Sequence, residues 1–168
     1  MSTTGTRVAI RPARPGDAES LAVIYRASSE HHFRLDPSLY TPPAVDELVE
    51  RYKARLPLPK DQEILVAEVE GEVVGWLEIV LKRGGGRPGM LRDQDSAEID
   101  IAVDPDHRSS GVGSELIRAA EAWTLEHGAE LMTVEVHVAN LDAIRFYQER
   151  HGWRTTGLVL MKRPERPE

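Results

Sequence analysis

Apolar and polar positions alternate along RVAIRPA (7–13) and the alternation stops at proline, which predicts a short strand. Over GDAESLAVIYRASSE (16–30) the period lengthens: Ala18, Leu21, Ala22 and Tyr25 share a helical face, with Asp17 placed as an N-cap. HHFRLDPSLYTPP (31–43) keeps neither period and is broken by prolines, so it reads as a long loop between helices and a candidate substrate loop. A second helix is expected over AVDELVERYKARL (44–56). Two β-rich runs follow, EILVAEVE (63–70) and EVVGWLEIVLK (72–82), and Gly71 between them marks a hairpin. The loop RGGGRPG (83–89) is expected to be mobile.

From Ala97 the pattern becomes a strand, AEIDIAV (97–103), a helix, GVGSELIRAAEAWTLEHG (111–128), and a strand, LMTVEVHVA (131–139). A helix, NLDAIRFYQERH (140–151), and a last strand, WRTTGLVLMKR (153–163), complete it. Strand, long helix and strand imply a right-handed parallel crossover. With no internal repeat and no second linker, the expectation is a single α/β domain over 1–168, an α+β mixed sheet covered by helices. Its 168 residues, 40% of them hydrophobic, are enough for one substantial core.

Charge narrows the partners. There are 21 Lys and Arg against 28 Asp and Glu, a net charge of −7, which repels nucleic acid and favours cationic molecules or basic peptides. The absence of cysteine excludes disulfides and thiolate chemistry. MSTTGTRVAIRP has no apolar signal core and no later run spans a bilayer, so a cytoplasmic protein without membrane contact is expected.

Candidate chemistry centres on VDPDHRSSGVGSEL (103–116), where Gly111 and Gly113 sit at a strand-to-helix junction. Each glycine costs about 0.5–1 kcal/mol relative to alanine if helical. One reading is a phosphate cradle: bare backbone at a helix N-terminus, with Arg108 as a cation and Ser109 and Ser110 as hydroxyl donors. The other is a serine cap with glycines that let the helix pack closely on the sheet. A dinucleotide fingerprint fails at Leu116, where its third glycine belongs, and a P-loop fails at Met90 after Gly84 to Gly89.

The same stretch resembles the signature of the GNAT superfamily of N-acetyltransferases, a strand ending in V-x-P and then R/Q-x-x-G-x-G opening a helix, through Arg108, Gly111 and Gly113. IRPARPGDAESLAVIY resembles the family's first strand and helix, and HVANLDAIRFYQERHGW its N-x-x-A-I-x-x-Y segment, through Asn140, Ala143, Ile144 and Tyr147. One departure stands out: four residues, Gln148 to His151, precede Gly152 and Trp153, where three are common. The resemblance implies a sheet whose central parallel strands, here 97–103 and 131–139, splay apart to take the pantetheine arm of acetyl-CoA, the expected co-substrate. Its pyrophosphate would lie on the amides of Arg108, Ser109, Ser110, Gly111, Val112, Gly113 and Ser114. The arm would lie along Ile101, Ala102 and Val103, with Asn140 and Tyr147 beside it.

For catalysis the resemblance makes Tyr147 the general acid, although a tyrosine on a helix face is also an ordinary core residue. Asn140 suits both an N-cap and a contact with the cofactor arm. Glu98, ten residues before Arg108, resembles the strand glutamate that deprotonates the amine through water; a half-exposed strand would show the same carboxylate. His137 is the alternative base. His31 and His32 lack ligand spacing to another histidine, so no metal is assigned. Asp93, Asp95, Glu98, Asp100 and Glu135 form either an acceptor-side field for a cationic amine or a solvated face, and Trp76 and Trp153 are assigned to the core.

The expected activity is N-acyl transfer to a small-molecule or peptide amine, with a homodimer left open and nucleic acid and membrane excluded. The alternative is a non-catalytic acyl-CoA-binding or regulatory module. Tyr147 argues for the enzyme, because binding alone needs no proton donor.

Overall fold

The computed structural model describes residues 7–84 and 92–162. Five strands lie side by side in chain order: β1 (Val8–Pro12), β2 (Gln62–Val69), β3 (Glu72–Lys82), β4 (Ser96–Val103) and β5 (Leu131–Val134). The first three pairings are antiparallel and the last is parallel, the mixed sheet expected. Between β2 and β3 the turn falls on Glu70 and Gly71, with φ of 52° and 86°. Two left-handed residues match the right-handed twist of a tight hairpin, and glycine takes its share without strain. A register shift at Ala67/Glu68 leaves Val74 as an extra residue on β3.

Helices cover both faces. On one, α1 (Ala18–Leu35) and α2 (Val45–Arg55) bury Leu21, Ala22, Ile24, Leu48 and Tyr52 against Ile64, Val66, Trp76 and Ala102. On the other, α3 (Val112–Glu126) buries Val112, Leu116, Ile117 and Ala120 against Leu65, Ala67, Leu77, Ile79, Ala97 and Ile99. Each such aliphatic side chain removed from water contributes about 1.5–3 kcal/mol. Contact is tight where Gly75 meets α3: a Cβ there would stand 3.1 Å from Val112 Cγ1 and 3.3 Å from Leu116 Cδ1. Trp76 is buried as expected, and Trp153 packs half-buried against the second core.

Several sequence expectations change. α1 runs on to Leu35 because nothing breaks it before Pro37, so His31 and His32 are helical and the loop begins only at Asp36. Asp17 does not cap α1. Its carboxylate takes a fork from Arg11, Nη1 at 2.8 Å and Nη2 at 2.9 Å, and accepts from Arg14 N at 2.7 Å. The helix expected over 140–151 is split into α4 (Leu141–Arg145) and a π-turn (Phe146–Arg150). The strand expected over 153–163 is absent through residue 162, and Leu158 to Met161 are exposed. β-propensity makes no strand without a ladder to join, and the edge strand β5 is only four residues long. From residue 85 the loop expected over 83–89 lies outside the described residues.

The consequential change is at β5, expected over 131–139 but ending at Val134. Its ladder with β4 runs from Ser96↔Leu131 to Ile99↔Val134, so Asp100 to Val103 are paired with β3 alone. The two parallel strands open toward the start of α3.

Arg11 bridges β1 to the turn before α1 through Asp17 and to β2 through Glu68, and it holds the Asp17 carboxyl below its usual range. That contribution is complete above about pH 4, where the unfolded carboxyl ionises, and is lost as pH falls from there through the lower folded-state value. Asp17→Asn is expected to cost about 1–3 kcal/mol in urea unfolding at pH 7, with the difference from wild type shrinking below about pH 4.

Candidate active site

β4 ends in a single 3-10 turn, Pro105–His107, capped by Asp104 Oδ1, which accepts from Asp106 N at 2.9 Å. The chain then passes Ser109 (φ 62°) and Gly111 (φ 92°), both left-handed, before α3 begins. Such alternation turns successive amides toward a common concavity suited to an anion. Glu115 N bonds Gly111 O at 3.1 Å, so the amides of Val112, Gly113 and Ser114 in the first turn have no intrahelical acceptor.

The two glycines serve different purposes. A Cβ on Gly111 would meet nothing within 4 Å, so it is the left-handed backbone angle, not lack of space, that favours glycine there. A Cβ on Gly113 would lie 3.1 Å and 3.4 Å from Phe146 Cζ and Cε2, so packing requires it. Of the packing reading, the close approach holds at Gly113, but the serine cap does not: α3 is capped by Gly111 without a side-chain bond, and Ser110 Oγ turns back to His107 O.

This turn forms one wall of a cleft of about 550 Å³. Ile101, Ala102 and Val103 line it from β4; Arg108, Ser109, Gly111, Gly113 and Ser114 from the turn; Asn140 and Tyr147 from the far side. One predicted cradle hydroxyl is used elsewhere, since Ser110 Oγ donates to His107 O at 2.5 Å, and Val112, predicted to serve through its amide, turns its side chain into the core. Arg108 lies across the end of β4, its Nε 3.4 Å from Val103 O.

Tyr147 is buried, 6% exposed, between Phe146 and Trp153 with ring centroids 5.3 Å and 5.2 Å away. Burial, and then the charge of Asp100, push its hydroxyl well above the usual tyrosine value, so it stays protonated. Among the described residues nothing bonds that hydroxyl. Asn140 caps α4, its Oδ1 accepting from Ala143 N at 3.3 Å, and its side chain lies near His31. Burial, and then the charge of Arg108, lower the His31 pKa and keep the ring neutral.

The two candidate bases lie outside the cleft lining. Glu98 is exposed on β4, 3.9 Å from Lys82 Nζ. His137 has its Nδ1 lone pair engaged by Ala139 N at 3.2 Å, and its Nε2 faces Asp36 at 3.6 Å. His32, assigned no role from the sequence, lines the cleft. Its Nδ1 lies 2.9 Å from Ser28 O, which can only accept, so the proton sits on Nδ1 and the lone pair on Nε2. The signal for it was the uninterrupted stretch before Pro37, which continues the helix face.

The acidic residues also separate. Asp95 is bound by Arg83 and Gly84 N, both at 2.8 Å, and Glu98 faces Lys82. Asp100 is exposed, as Glu98 is, yet the protein mass around it raises its carboxyl above the usual range, with Glu78 adding repulsion and the Ile101 backbone and His32 opposing it. Glu78 itself is paired with Arg55. Among the described residues no group of three or more His, Cys, Asp or Glu could hold a metal, and no helix is long and apolar enough to cross a membrane.

Comparison with known proteins places this geometry. The family model described as Acetyltransferase (GNAT) family matches residues 27–153, and the chain belongs to that family. An uncharacterized N-acetyltransferase of Methanocaldococcus jannaschii is 32% identical over 100 residues, 54% of this chain and 39% of that protein. The chain spans only about a quarter to two fifths of the length of the curated relatives it matches. Among solved structures, a tetramutant of the BH1408 protein from Bacillus halodurans superposes with a TM-score of 0.82 at 21% identity, over 94% of this chain and 99% of that one. The aminoglycoside N-acetyltransferase AAC(6')-Iy, solved in complex with CoA, gives 0.71 at 19% identity, over 98% and 99%. At these identities the structural matches speak for the fold.

The division of labour between the glycines is testable by substitution. Gly111→Ala and Gly113→Ala are each expected to destabilise by about 1–2 kcal/mol, the first through backbone strain and the second through displacement of Phe146. Denaturant unfolding of both, with a crystal structure of the second, checks this; an unmoved Phe146 ring contradicts the packing argument.

Proposed function

We propose that the protein moves an acetyl group from acetyl-CoA directly to a primary amine of a small molecule or peptide. The observation that carries this reading is the Tyr147 hydroxyl, buried, protonated and unbonded in the cleft that also holds the open edge of β4 and the first turn of α3. The residues fit acyl-CoA. Free amides at Val112 to Ser114 and the Arg108 cation suit a pyrophosphate, while Asp100 to Val103, without β5, suit the amides of a pantetheine arm laid beside them. The fold shared with an aminoglycoside N-acetyltransferase solved with CoA supports an amine acceptor.

In the reaction the ammonium ion first loses a proton to a base, the amine nitrogen bonds the acetyl carbon, the carbon–sulfur bond breaks, and the second proton shed by nitrogen restores the one that the sulfur receives. Tyr147 gives its proton to the departing sulfur. For the first proton we favour His32 over Glu98, because the Nε2 lone pair of His32 belongs to a ring lining the cleft whereas Glu98 faces solvent. Asp100 supplies negative charge that attracts the amine as an ammonium ion before it is deprotonated.

Tyr147→Phe keeps the ring and removes the donor. Turnover of acetyl-CoA with an accepted amine is expected to fall about 10²–10⁴-fold, while melting temperature and acetyl-CoA affinity stay near wild type. A folded Phe variant at full speed removes Tyr147 from the mechanism, and a wild-type protein that binds acetyl-CoA but acylates no amine in a broad panel returns the reading to a binding module. His32→Gln is expected to slow turnover most near neutral pH, where the acceptor amine is protonated and an imidazole can still take its proton, and less as the amine's own pKa is approached; a profile parallel to wild type transfers the base to bulk water.

A further inference from the structure

The departure from the family's spacing has a physical form. Four residues separate Tyr147 from Gly152, and the last turn of the helix is widened into the π-turn Phe146–Arg150. The widened turn ends at His151, whose ring stands edge-on to Phe146 with centroids 4.7 Å apart and whose Nε2 lies 3.1 Å from Ser114 Oγ. Ser114 is in the first turn of α3 and lines the cleft. The turn therefore brings a titratable ring up behind a hydroxyl of the cradle.

Resting on the acyl-CoA reading of that cradle, we infer that His151 is a positioning residue that couples pyrophosphate binding to uptake of a proton. With Nε2 protonated, the ring donates to Ser114 Oγ and leaves the serine O–H free to donate to a phosphate oxygen. With the lone pair on Nε2, the ring accepts a hydrogen bond from the serine O–H, and Ser114 presents only lone pairs to the anion. Charge works in the same direction, because a bound pyrophosphate favours the imidazolium. The groups facing His151 are Glu121, Arg118 and Ser114 from α3, and Arg150 and the Phe146 ring from the π-turn. Burial leads in lowering its pKa, Arg118 and Arg150 add to this, and Glu121 opposes them, so the ring is neutral at pH 7 in the free protein. Binding raises that value, so affinity increases as pH falls through the bound-state pKa and levels off below the free-state one.

The test is calorimetric titration with dephospho-CoA, which keeps the pyrophosphate but lacks the 3′-phosphate that titrates near neutrality, at pH 6 and pH 8.5. Wild type is expected to bind about three- to tenfold more tightly at pH 6. In His151→Gln and in Ser114→Ala that ratio is expected to fall to the background set by groups both variants retain, His31 and His107 among them. In wild type the His151 ring protons, followed by NMR, are expected to titrate at higher pH with the probe bound, a readout that needs no variant. Equal ratios in wild type and the variants, or an unmoved His151 titration with probe bound, overturn the inference while leaving the cradle intact. Failure of wild type to bind the probe at either pH overturns the cradle reading and the inference with it.

Discussion

Backbone hydrogen bonding at the fork between β4 and β5 is the constraint on which the site depends. Pairing stops at Ile99 and Val134, yet β4 continues for four residues with one side of its backbone open. Asp104 N bonds Val74 O on β3 at 2.8 Å, so by the alternation of a strand the N–H groups of Ile101 and Val103 point to the open side. Backbone groups left without partners as they are buried cost about 1–3 kcal/mol each, so on the proposed reading an extended, amide-bearing ligand laid in the fork would meet that need. The first turn of α3 stands at its mouth, so an arm and a charged end can be held at once.

Packing behind the fork links its parts. Phe146 rests on Gly113, lies beside Tyr147 and carries His151. A single ring thus sets the floor of the anion cradle, the orientation of the candidate acid and the support of Ser114. This explains why a glycine that looks like bare backbone for a ligand is required for a side chain, while its neighbour two residues earlier is left open.

Much of this was legible in the residues. The alternation in 72–82 and 97–103, the Gly71 turn and the amphipathic period of 111–128 were enough for the antiparallel strands and the crossover helix, because each pattern is local. Arg108, Gly111, Gly113, Asn140 and Tyr147 come together because short motifs placed them at element ends, where topology brings ends together. What escaped depends on distant partners. The length of β5 is decided by where β4 stops accepting it, and the run at 158–161 is β-prone yet has no ladder to join. His32 was hidden by reading an unpatterned stretch as loop, and the tautomers of His32 and His137 follow from single backbone contacts that no spacing reveals. Glu98 and Asp100 share a strand face and both are exposed, so only their neighbours, Lys82 beside the one and Glu78 beside the other, tell them apart.

The central claim is that the fork and the helix start form a single seat for acyl-CoA. Amide hydrogen exchange, followed residue by residue with and without acetyl-CoA, tests it most directly. The account predicts slowed exchange at Ile101 and Val103 together with Val112, Gly113 and Ser114, while the outer strand β1 is unchanged. Binding that leaves both of these segments unprotected, or that protects a different edge of the sheet, would contradict it.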